Sequence, residues 1–197
     1  MRGKKRPLPT ERPTVNQLEA ELAREKYRRR YGWVLRSTIY TLITVAAVAV
    51  LVATLWLPVL QIYGASMVPT LDEGEIVVSW KGSDFRQGDI VAFYYNNKIL
   101  VKRVIAGPGS WVDIWEDGTV FVDSAQLDEP YLTEKAFGEC DIKLPYQVPD
   151  GRYFVMGDHR STSVDSRHSA VGCVADEQIV GKIVFRVWPL AAIGRIG

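Results

Sequence analysis

The amino-acid sequence predicts a mainly β protein: an antiparallel, partly closed β-sheet domain preceded by one N-terminal transmembrane helix. Residues 37–60 carry no charged side chain, and the chain beyond residue 71 consists of short β-branched runs separated by turn residues. No helical pattern of ten or more residues alternates with those runs, which disfavours a parallel α/β sheet. With 197 residues, of which 47% are hydrophobic, the chain can form one packed domain with appendages.

Charge is distributed unevenly along the chain, although the formal net charge is only +1. Residues 1–36 carry eleven Lys/Arg against four Asp/Glu, whereas residues 61–197 carry thirteen Lys/Arg against nineteen Asp/Glu. A basic head, a neutral apolar span and an acidic body are typical of a membrane-anchored protein. They argue against a nucleic-acid-binding protein, whose binding domain would itself be basic.

The basic head, residues 1–36, is predicted to be a cytoplasmic tail with a short helix. Residues 1–13 are polar and contain three prolines, which is typical of a disordered tail. Thr14 and Gln17 have the spacing of a capping box, and strong helix formers follow at 18–26. A helix is therefore expected to begin near Thr14.

Residues 37–60 are predicted to span the membrane. At 1.5 Å per residue they would form a helix of about 36 Å, longer than the ~30 Å hydrocarbon core. The basic cluster before them places the N-terminus in the cytoplasm and the body outside. A cleaved secretory signal is the alternative, but the apolar region is about twice the usual length, and Tyr63 occupies the third position before a cut after Ala65.

The body, residues 61–197, is predicted to contain seven strands. They are expected at 75–80, 89–95, 99–105, 111–114, 119–122, 153–156 and 179–187. The dipeptides Asn96-Asn97 and Asp117-Gly118 are suited to tight hairpins between consecutive strands. Residues 123–148 lack strong periodicity.

Three motifs of the body contain groups that nucleophilic catalysis requires. Ser66 lies in Ser-Met-Val-Pro-Thr-Leu, six residues beyond the predicted span, and Lys102 lies in Val-Lys-Arg-Val; the third motif is Gly157–Arg167. A serine hydroxyl needs a base to take its proton, and a lysine can be that base when burial lowers its pKa. Strand alternation would let Lys102 point into an apolar interior while Arg103 reaches water.

Together these motifs resemble the bacterial type I signal peptidases, which are membrane-anchored serine proteases with a Ser/Lys dyad. The resemblance covers most of residues 37–197. It implies an enzyme of the plasma (inner) membrane that removes signal peptides from exported preproteins after a small-x-small (Ala-x-Ala) site. It implies no metal or organic cofactor, and as partners the signal peptides and the lipid bilayer. Residues 123–148 would be a short variable insertion in the extracytoplasmic catalytic domain.

The resemblance also implies a role for individual residues. Ser66 would be the nucleophile and Lys102 the general base. Ser163 would orient Lys102, while Asp165 and Arg167 would hold their loop as an ion pair. The residues implied to contact the substrate are Ile62, Tyr63, Met67 and Val101.

The oxyanion of the reaction needs hydrogen-bond donors. The resemblance implies that the Ser66 amide is one of them. Some relatives add a hydroxyl side chain two residues before the nucleophile, where this chain has Gly64. The second donor is therefore left open, with a backbone group or water as the substitute.

Histidines and cysteines offer alternatives to this interpretation. His159 or His168 could form a Ser-His-Asp triad with Asp165, but His159 stands where the family motif carries Asn. Cys140 and Cys173 could form a disulfide in an oxidising compartment. The spacing of these cysteines and histidines lacks the close ligand pairs that are typical of structural zinc sites.

Two other functions fit part of the pattern. Soluble self-cleaving repressors share Ser/Lys chemistry, but they carry DNA-binding heads and no membrane anchor. A catalytically inactive relative that helps to assemble surface proteins is the second alternative. The presence of both Ser66 and Lys102 argues against it.

Overall fold

The computed structural model describes residues 14–82 and 84–196. Its first element is a 42-residue helix, α1 (Val15–Trp56). The Thr14 amide donates a hydrogen bond to Gln17 Oε1 at 3.0 Å, so the predicted start near Thr14 is confirmed. By length and composition α1 can span a membrane. The predicted tail at residues 1–13 lies outside the described residues.

The helix ends before the predicted end of the apolar span. Residues 59–60 belong instead to the first strand, β1 (Val59–Gln61). Pro58 explains the difference, because a residue that precedes proline is disfavoured in the helical conformation. The Pro58 carbonyl oxygen accepts a hydrogen bond from the Ser79 amide at 2.9 Å, which directs the chain into the sheet.

The remaining strands form two antiparallel sheets with β1. They are β2 (Ile76–Trp80), β3 (Ile90–Tyr95), β4 (Lys98–Ala106), β5 (Trp111–Ile114), β6 (Val120–Val122), β7 (Ala125–Gln126), β8 (Tyr146–Gln147), β9 (Arg152–Met156), β10 (Val174–Ala175), β11 (Ile179–Trp188) and β12 (Gly194–Arg195). The larger sheet has the order β1-β2-β11-β3-β4-β9-β10, with β12 paired to β11, and the smaller has the order β7-β6-β5-β8. The antiparallel fold class is confirmed, but neither sheet of the described residues closes on itself.

The seven predicted strands are all present, each with its ends within one residue of the prediction. Asn96 and Asn97 adopt positive φ angles of 43° and 60° and form the two-residue turn between β3 and β4, as predicted. Gly118, with φ of 83°, lies in the turn between β5 and β6. The five strands that were not predicted are two or three residues long, too short to show an alternating pattern.

Buried apolar clusters hold the chain against the larger sheet. One cluster joins the two sheets and includes Val112 and Phe154, both fully buried. A second cluster includes Met67, Leu71 and Ile183, each at most 1% exposed. Because a fully buried side chain of this size contributes about 1.5–3 kcal/mol, the second cluster holds the segment around Ser66 firmly against β11.

Candidate active site

Ser66 lies in a loop whose two ends are tied together; we call residues 62–75 the serine loop. The Ile62 amide donates a hydrogen bond to the Glu75 carbonyl oxygen at 2.8 Å, and the Gly74 amide donates to the Ile62 carbonyl oxygen at 2.9 Å. Ser66 is half-buried, whereas the neighbouring Met67 points into the core. The loop therefore presents Ser66 near the surface on a fixed base.

Lys102 lies in the middle of β4 and is only 3% exposed. Its Nζ donates a hydrogen bond to Ser163 Oγ at 3.0 Å. Burial lowers the pKa of Lys102 from 10.5 to about 8; the charge of Asp165 opposes this shift, that of Arg167 supports it and that of Asp158 opposes it. Near neutral pH the Lys102 amine is therefore uncharged in part of the protein molecules, where it can accept a proton.

Gly157 links the serine loop to the partner of Lys102. A Cβ added at Gly157 would lie 2.5 Å from the Ser66 carbonyl oxygen and closer still to Ser163 Oγ. His159, two residues after Gly157, donates its amide hydrogen to the same Ser66 carbonyl oxygen at 3.0 Å. Ser66, Ser163 and Lys102 therefore belong to one compact cluster around Gly157.

Asp165 and Arg167 form a fully buried ion pair with two parallel hydrogen bonds. Arg167 Nε donates to Asp165 Oδ1 and Nη2 donates to Oδ2, both at 2.9 Å. The Gly157 amide also donates to Asp165 Oδ2 at 3.0 Å. Burial works against the carboxylate, but the hydrogen bonds and the charge of Arg167 hold the pKa of Asp165 below its usual value. The pair fixes the loop that carries Ser163.

The histidines are engaged elsewhere, so the described residues form no Ser-His-Asp triad. His159 Nδ1 is hydrogen-bonded to Thr162 Oγ1, and His168 Nε2 faces Glu139 Oε2 at 3.5 Å. The Asp165 carboxylate, the acid that a triad would need, is occupied by Arg167 and Gly157.

Arg103 does not reach water, contrary to the expectation from strand alternation. It is 5% exposed and binds Asp158 through two hydrogen bonds, Nε to Oδ1 at 2.9 Å and Nη2 to Oδ2 at 2.7 Å. The Tyr131 ring covers its guanidinium at 3.8 Å. The expectation was wrong because the buried acid and the ring come from distant parts of the chain. Thr70 Oγ1 donates to the same Asp158 carboxylate, which ties the serine loop to this pair.

The aperiodic segment 123–148 contributes buried groups that the sequence reasoning missed. Glu129 forms an ion pair with Arg160 in which both side chains are fully buried. Arg160 Nε in turn donates to the Gly157 carbonyl oxygen at 3.0 Å, and the Phe137 carbonyl oxygen accepts from Arg167 Nη1 at 2.6 Å. No periodicity marks these positions, so the sequence carried no local signal for them.

A cleft of about 760 Å³ opens beside Ser66, between β1, the serine loop and the start of β4. All four residues expected to contact the substrate line it. The lining consists of Val59, Leu60, Gln61, Ile62, Tyr63, Gly64, Ser66, Met67, Lys98, Ile99, Leu100 and Val101. Ile62 and Met67 are buried in its wall, whereas Tyr63 is 78% exposed. The lining of the cleft is mostly apolar.

Gly64 has a φ of +80°, a conformation that side-chain-bearing residues rarely adopt. No heavy atom lies within 4 Å of a Cβ built there. Backbone conformation, and not lack of space, therefore explains the glycine. A hydroxyl donor from this position is absent, so the second oxyanion donor is not a side chain of residue 64.

The two cysteines are unpaired in the structure. Cys173 is buried in the core that joins the two sheets, and burial raises its pKa to about 11. Cys140 is partly exposed, with its Sγ near the Ile142 carbonyl oxygen. A thiol in the environment of Cys173 is mostly protonated at neutral pH and therefore a weak nucleophile.

Residues 35–188 match the family described as signal peptidase, peptidase S26. The chain is 39% identical to signal peptidase IB of Staphylococcus aureus (strain COL), over 66% of this chain and 77% of that protein. It is 37% identical to signal peptidase I of Bacillus caldolyticus, over 84% of this chain and 93% of that protein.

Solved structures are similar to this chain as well. One is the crystal structure of a signal peptidase I from Enterococcus faecalis V583, which is 29% identical to this chain. The match covers 50% of this chain and 96% of that one, with a TM-score of 0.44.

Proposed function

The chain belongs to the signal peptidase family, peptidase S26, and on that premise we propose that Ser66 and Lys102 cleave signal peptides as a catalytic dyad. The family makes the protein a membrane-anchored signal peptidase I, a serine endopeptidase, with signal peptides of preproteins as its substrates. The inactive alternative is therefore set aside. The observation that carries the dyad is Lys102 itself: a buried lysine with a pKa of about 8, clustered with Ser66 around Gly157.

In the proposed mechanism the neutral Lys102 Nζ takes the proton of the Ser66 hydroxyl. The Ser66 Oγ then attacks the scissile carbonyl carbon, and a tetrahedral oxyanion forms. Lys102 donates the proton to the leaving amine, which breaks the peptide bond and leaves an acyl-enzyme. A water molecule, deprotonated by Lys102, hydrolyses the ester and releases the signal peptide. No metal ion or organic cofactor takes part in these steps.

Ser163 is proposed to orient the base. Its Oγ accepts a hydrogen bond from Lys102 Nζ, which limits the positions that the amine can occupy. The ion pair of Asp165 and Arg167 holds the backbone at Ser163, because Arg167 Nη2 also donates to the Ser163 carbonyl oxygen at 3.3 Å. Such support matters because misplacing a catalytic group by about 1 Å can cost ~10²-fold in rate.

The Ser66 amide is proposed as the first oxyanion donor. Removing one such donor commonly costs about 2.7–4 kcal/mol of barrier, so the site needs a second donor or an equivalent. Gly64 supplies no hydroxyl. We therefore assign the second contact to a backbone amide or to a bound water.

Specificity is proposed to come from the apolar cleft. Ile62, Met67 and Val101 form walls near Ser66 that would admit Ala but exclude larger side chains at the first and third positions before the cut. An extended substrate would lie against the strand edges that border the cleft. The expected preference is Ala-x-Ala, weaker for Gly or Ser.

The proposed location is the plasma membrane, with the N-terminus in the cytoplasm and the catalytic domain, residues 61–197, outside. The basic residues before the apolar part of α1 support this orientation. Ser66 lies ten residues beyond Trp56, the last residue of α1, at most about 36 Å of extended chain, so the cut would be made on the outer side of the bilayer and close to it. The membrane would then help to position a signal peptide whose apolar segment ends in the same bilayer.

The dyad is tested by cleavage of a purified preprotein in detergent. Ser66→Ala and Lys102→Ala are each expected to abolish turnover while leaving the fold intact, because a two-residue unit fails when either member is removed. His159→Ala and the exposed Ser161→Ala should still cleave. Substantial cleavage by either dyad variant would contradict the proposal, and loss of activity in His159→Ala alone would favour a histidine base.

The cleft assignment is tested on the substrate. Replacing the Ala immediately before the cut by Leu should nearly abolish processing, whereas Gly or Ser should only slow it. Efficient cleavage of the Leu substrate at the same bond would refute the small-pocket assignment.

The orientation is tested on spheroplasts with protease added outside. The catalytic domain should be digested and the basic head protected. Protection of the domain together with digestion of the head would reverse the proposed topology.

A further inference from the structure

Arg186 reaches from β11 into the serine loop and contacts it at two separated points. Its Nη2 donates a hydrogen bond to the Thr70 carbonyl oxygen at 2.6 Å, and its Nη1 forms an ion pair with Glu75 Oε1 at 3.0 Å. Glu75 lies at the base of the loop, where its carbonyl oxygen binds the Ile62 amide. The Arg186 guanidinium thus links Thr70, within the serine loop, to Glu75, at the end of the loop.

The position of Arg186 in the sheet makes this contact rigid. β11 is paired on both sides, and Arg186 itself lies opposite Val77 of β2 and Gly194 of β12. The Arg186 side chain is 20% exposed and that of Glu75 is 6% exposed, so little water competes for the contacts. The contacts of Arg186 therefore connect the serine loop directly to a central strand of the larger sheet.

The geometry of the pair is poor for a contact that only adds stability. Arg186 Nε and Glu75 Oε2 are buried and have no hydrogen-bond partner among the described residues. The two neighbouring pairs, Arg103 with Asp158 and Arg167 with Asp165, each have two parallel hydrogen bonds instead. A buried pair with unsatisfied atoms is weak evidence for stabilisation. Its shortest contact goes to the backbone of Thr70.

Thr70 belongs to the turn that directly follows the serine. The Leu71 amide donates to the Met67 carbonyl oxygen at 2.9 Å, which closes a turn beginning at the residue after Ser66. The Thr70 hydroxyl donates to Asp158, and Arg103 Nη2 donates to that hydroxyl at 3.2 Å. Thr70 is therefore held through its side chain by one ion pair and through its carbonyl oxygen by Arg186.

We infer that Arg186 is a positioning residue for the reaction: its hydrogen bond to the Thr70 carbonyl oxygen holds the serine loop in the shape that directs Ser66 towards Lys102. Arg186 is not among the residues that line the cleft, and the side-chain contacts described for it go to Thr70 and Glu75. This inference rests on the proposed role of Ser66. It assigns a function to an arginine that none of the three sequence motifs contains.

The test compares Arg186→Met with Lys182→Met. Lys182 lies on the same strand and forms an ion pair with Asp89, away from the serine loop, so its variant controls for the loss of a β11 ion pair. The readouts are kcat and KM for a signal-peptide substrate in detergent, and the rate at which a small activated ester acylates Ser66. All rates are measured well below the unfolding temperature of each variant.

Arg186→Met is expected to lower kcat by about 10- to 100-fold, because misplacement of a reacting group by about 1 Å has this effect. The acylation rate should fall by the same factor, since the small ester does not need the cleft, and KM should stay near the wild-type value. Lys182→Met should keep the wild-type kcat. A wild-type kcat in folded Arg186→Met, or a loss of kcat without a loss of ester acylation, would overturn the inference.

Two further variants keep the test decisive. If Arg186→Met does not fold, Arg186→Lys replaces it, because a single ammonium cannot reproduce the fork that reaches both Thr70 and Glu75; wild-type kcat there would overturn the inference. Ser66→Ala is run in the same assay. If it still cleaves, the dyad proposal fails; if it is inactive while Arg186→Met is fully active, only the inference about Arg186 fails.

Discussion

Replacing the buried Lys102 by an apolar residue of similar length is expected to stabilise the protein at neutral pH. In Lys102→Met the side chain keeps most of its volume but loses the amine that burial penalises. The pKa of Lys102 lies at about 8 in the folded protein, against 10.5 for an exposed lysine. The charged form is therefore less favourable in the folded state than in the unfolded one.

The size of the effect follows from that difference. At 1.36 kcal/mol for each pH unit, the change from 10.5 to about 8 corresponds to about 3 kcal/mol of lost stability when the amine is charged in both states. The variant also loses the hydrogen bond to Ser163, worth about 1 kcal/mol. The net expectation at pH 7 is a free energy of unfolding about 2 kcal/mol higher than that of the wild type.

The sign of the pH dependence is fixed by the lowered pKa. Below pH 8 the full penalty is present in the wild type. Between pH 8 and 10.5 the unfolded state binds more protons than the folded state, so wild-type stability rises with pH and the advantage of Lys102→Met disappears.

Urea unfolding in detergent, followed by tryptophan fluorescence from pH 6 to 10.5, measures this difference. Lys98→Met is the matched control, because Lys98 lies on the same strand with an exposed side chain. It should give no comparable gain at pH 7. If Lys102→Met is less stable than the wild type at pH 7, or if its advantage does not change with pH, the amine is not desolvated as argued.

Three further predictions follow from the same cluster. Gly157→Ala should abolish turnover, because its Cβ would press on the Ser66 carbonyl oxygen; kcat for a signal-peptide substrate measures this. Glu129→Gln should lower the free energy of unfolding by about 3–5 kcal/mol, since it leaves a buried arginine without its charged partner; urea unfolding measures this. Asp165→Asn should lower the pKa of Lys102 and move the acid limb of the rate profile below pH 8, because the Asp165 charge raises that pKa.

Each of these predictions has a control or an outcome that would contradict it. Gly107→Ala should be active, since no atom lies within 4 Å of its added Cβ. A wild-type kcat in Gly157→Ala would show that the serine loop can move to make room for the added Cβ. The exposed Glu73→Gln should leave the unfolding free energy nearly unchanged, and an equally small effect of Glu129→Gln would mean that its pair is dispensable. If the acid limb does not shift in Asp165→Asn, the charge of Asp165 does not raise the pKa of Lys102.

The strands could be predicted where they are long enough to show a pattern. β4, with nine residues, was identified with both ends within one residue, and the Asn96-Asn97 turn before it was recognised from its residue types. The β6–β7 hairpin was missed, although Asp123 and Ser124 both adopt positive φ angles of 52° and 69°. Its second strand has only two residues, so a turn pattern had no flanking alternation to support it.

The candidate site could be predicted only in part, because its supporting contacts join distant segments. Burial of Lys102 could be anticipated from its apolar neighbours, whereas burial of Arg103 depends on Asp158 and Tyr131, 55 residues and 28 residues away along the chain. No sequence motif indicates the contacts of Glu129 and Arg186. Such partners become visible only when the fold brings the segments together.

The pH dependence of signal-peptide cleavage tests the central claim most directly. The measurement is kcat/KM of the wild-type protein from pH 5 to 11 with a substrate that contains no ionisable group near the cut. If the neutral Lys102 is the base, as proposed, the rate rises with pH through an apparent pKa of about 8 and then levels off. A rise centred near 6.5, the usual pKa of histidine, or a rate that still climbs beyond pH 10 would contradict a buried lysine as the base of Ser66.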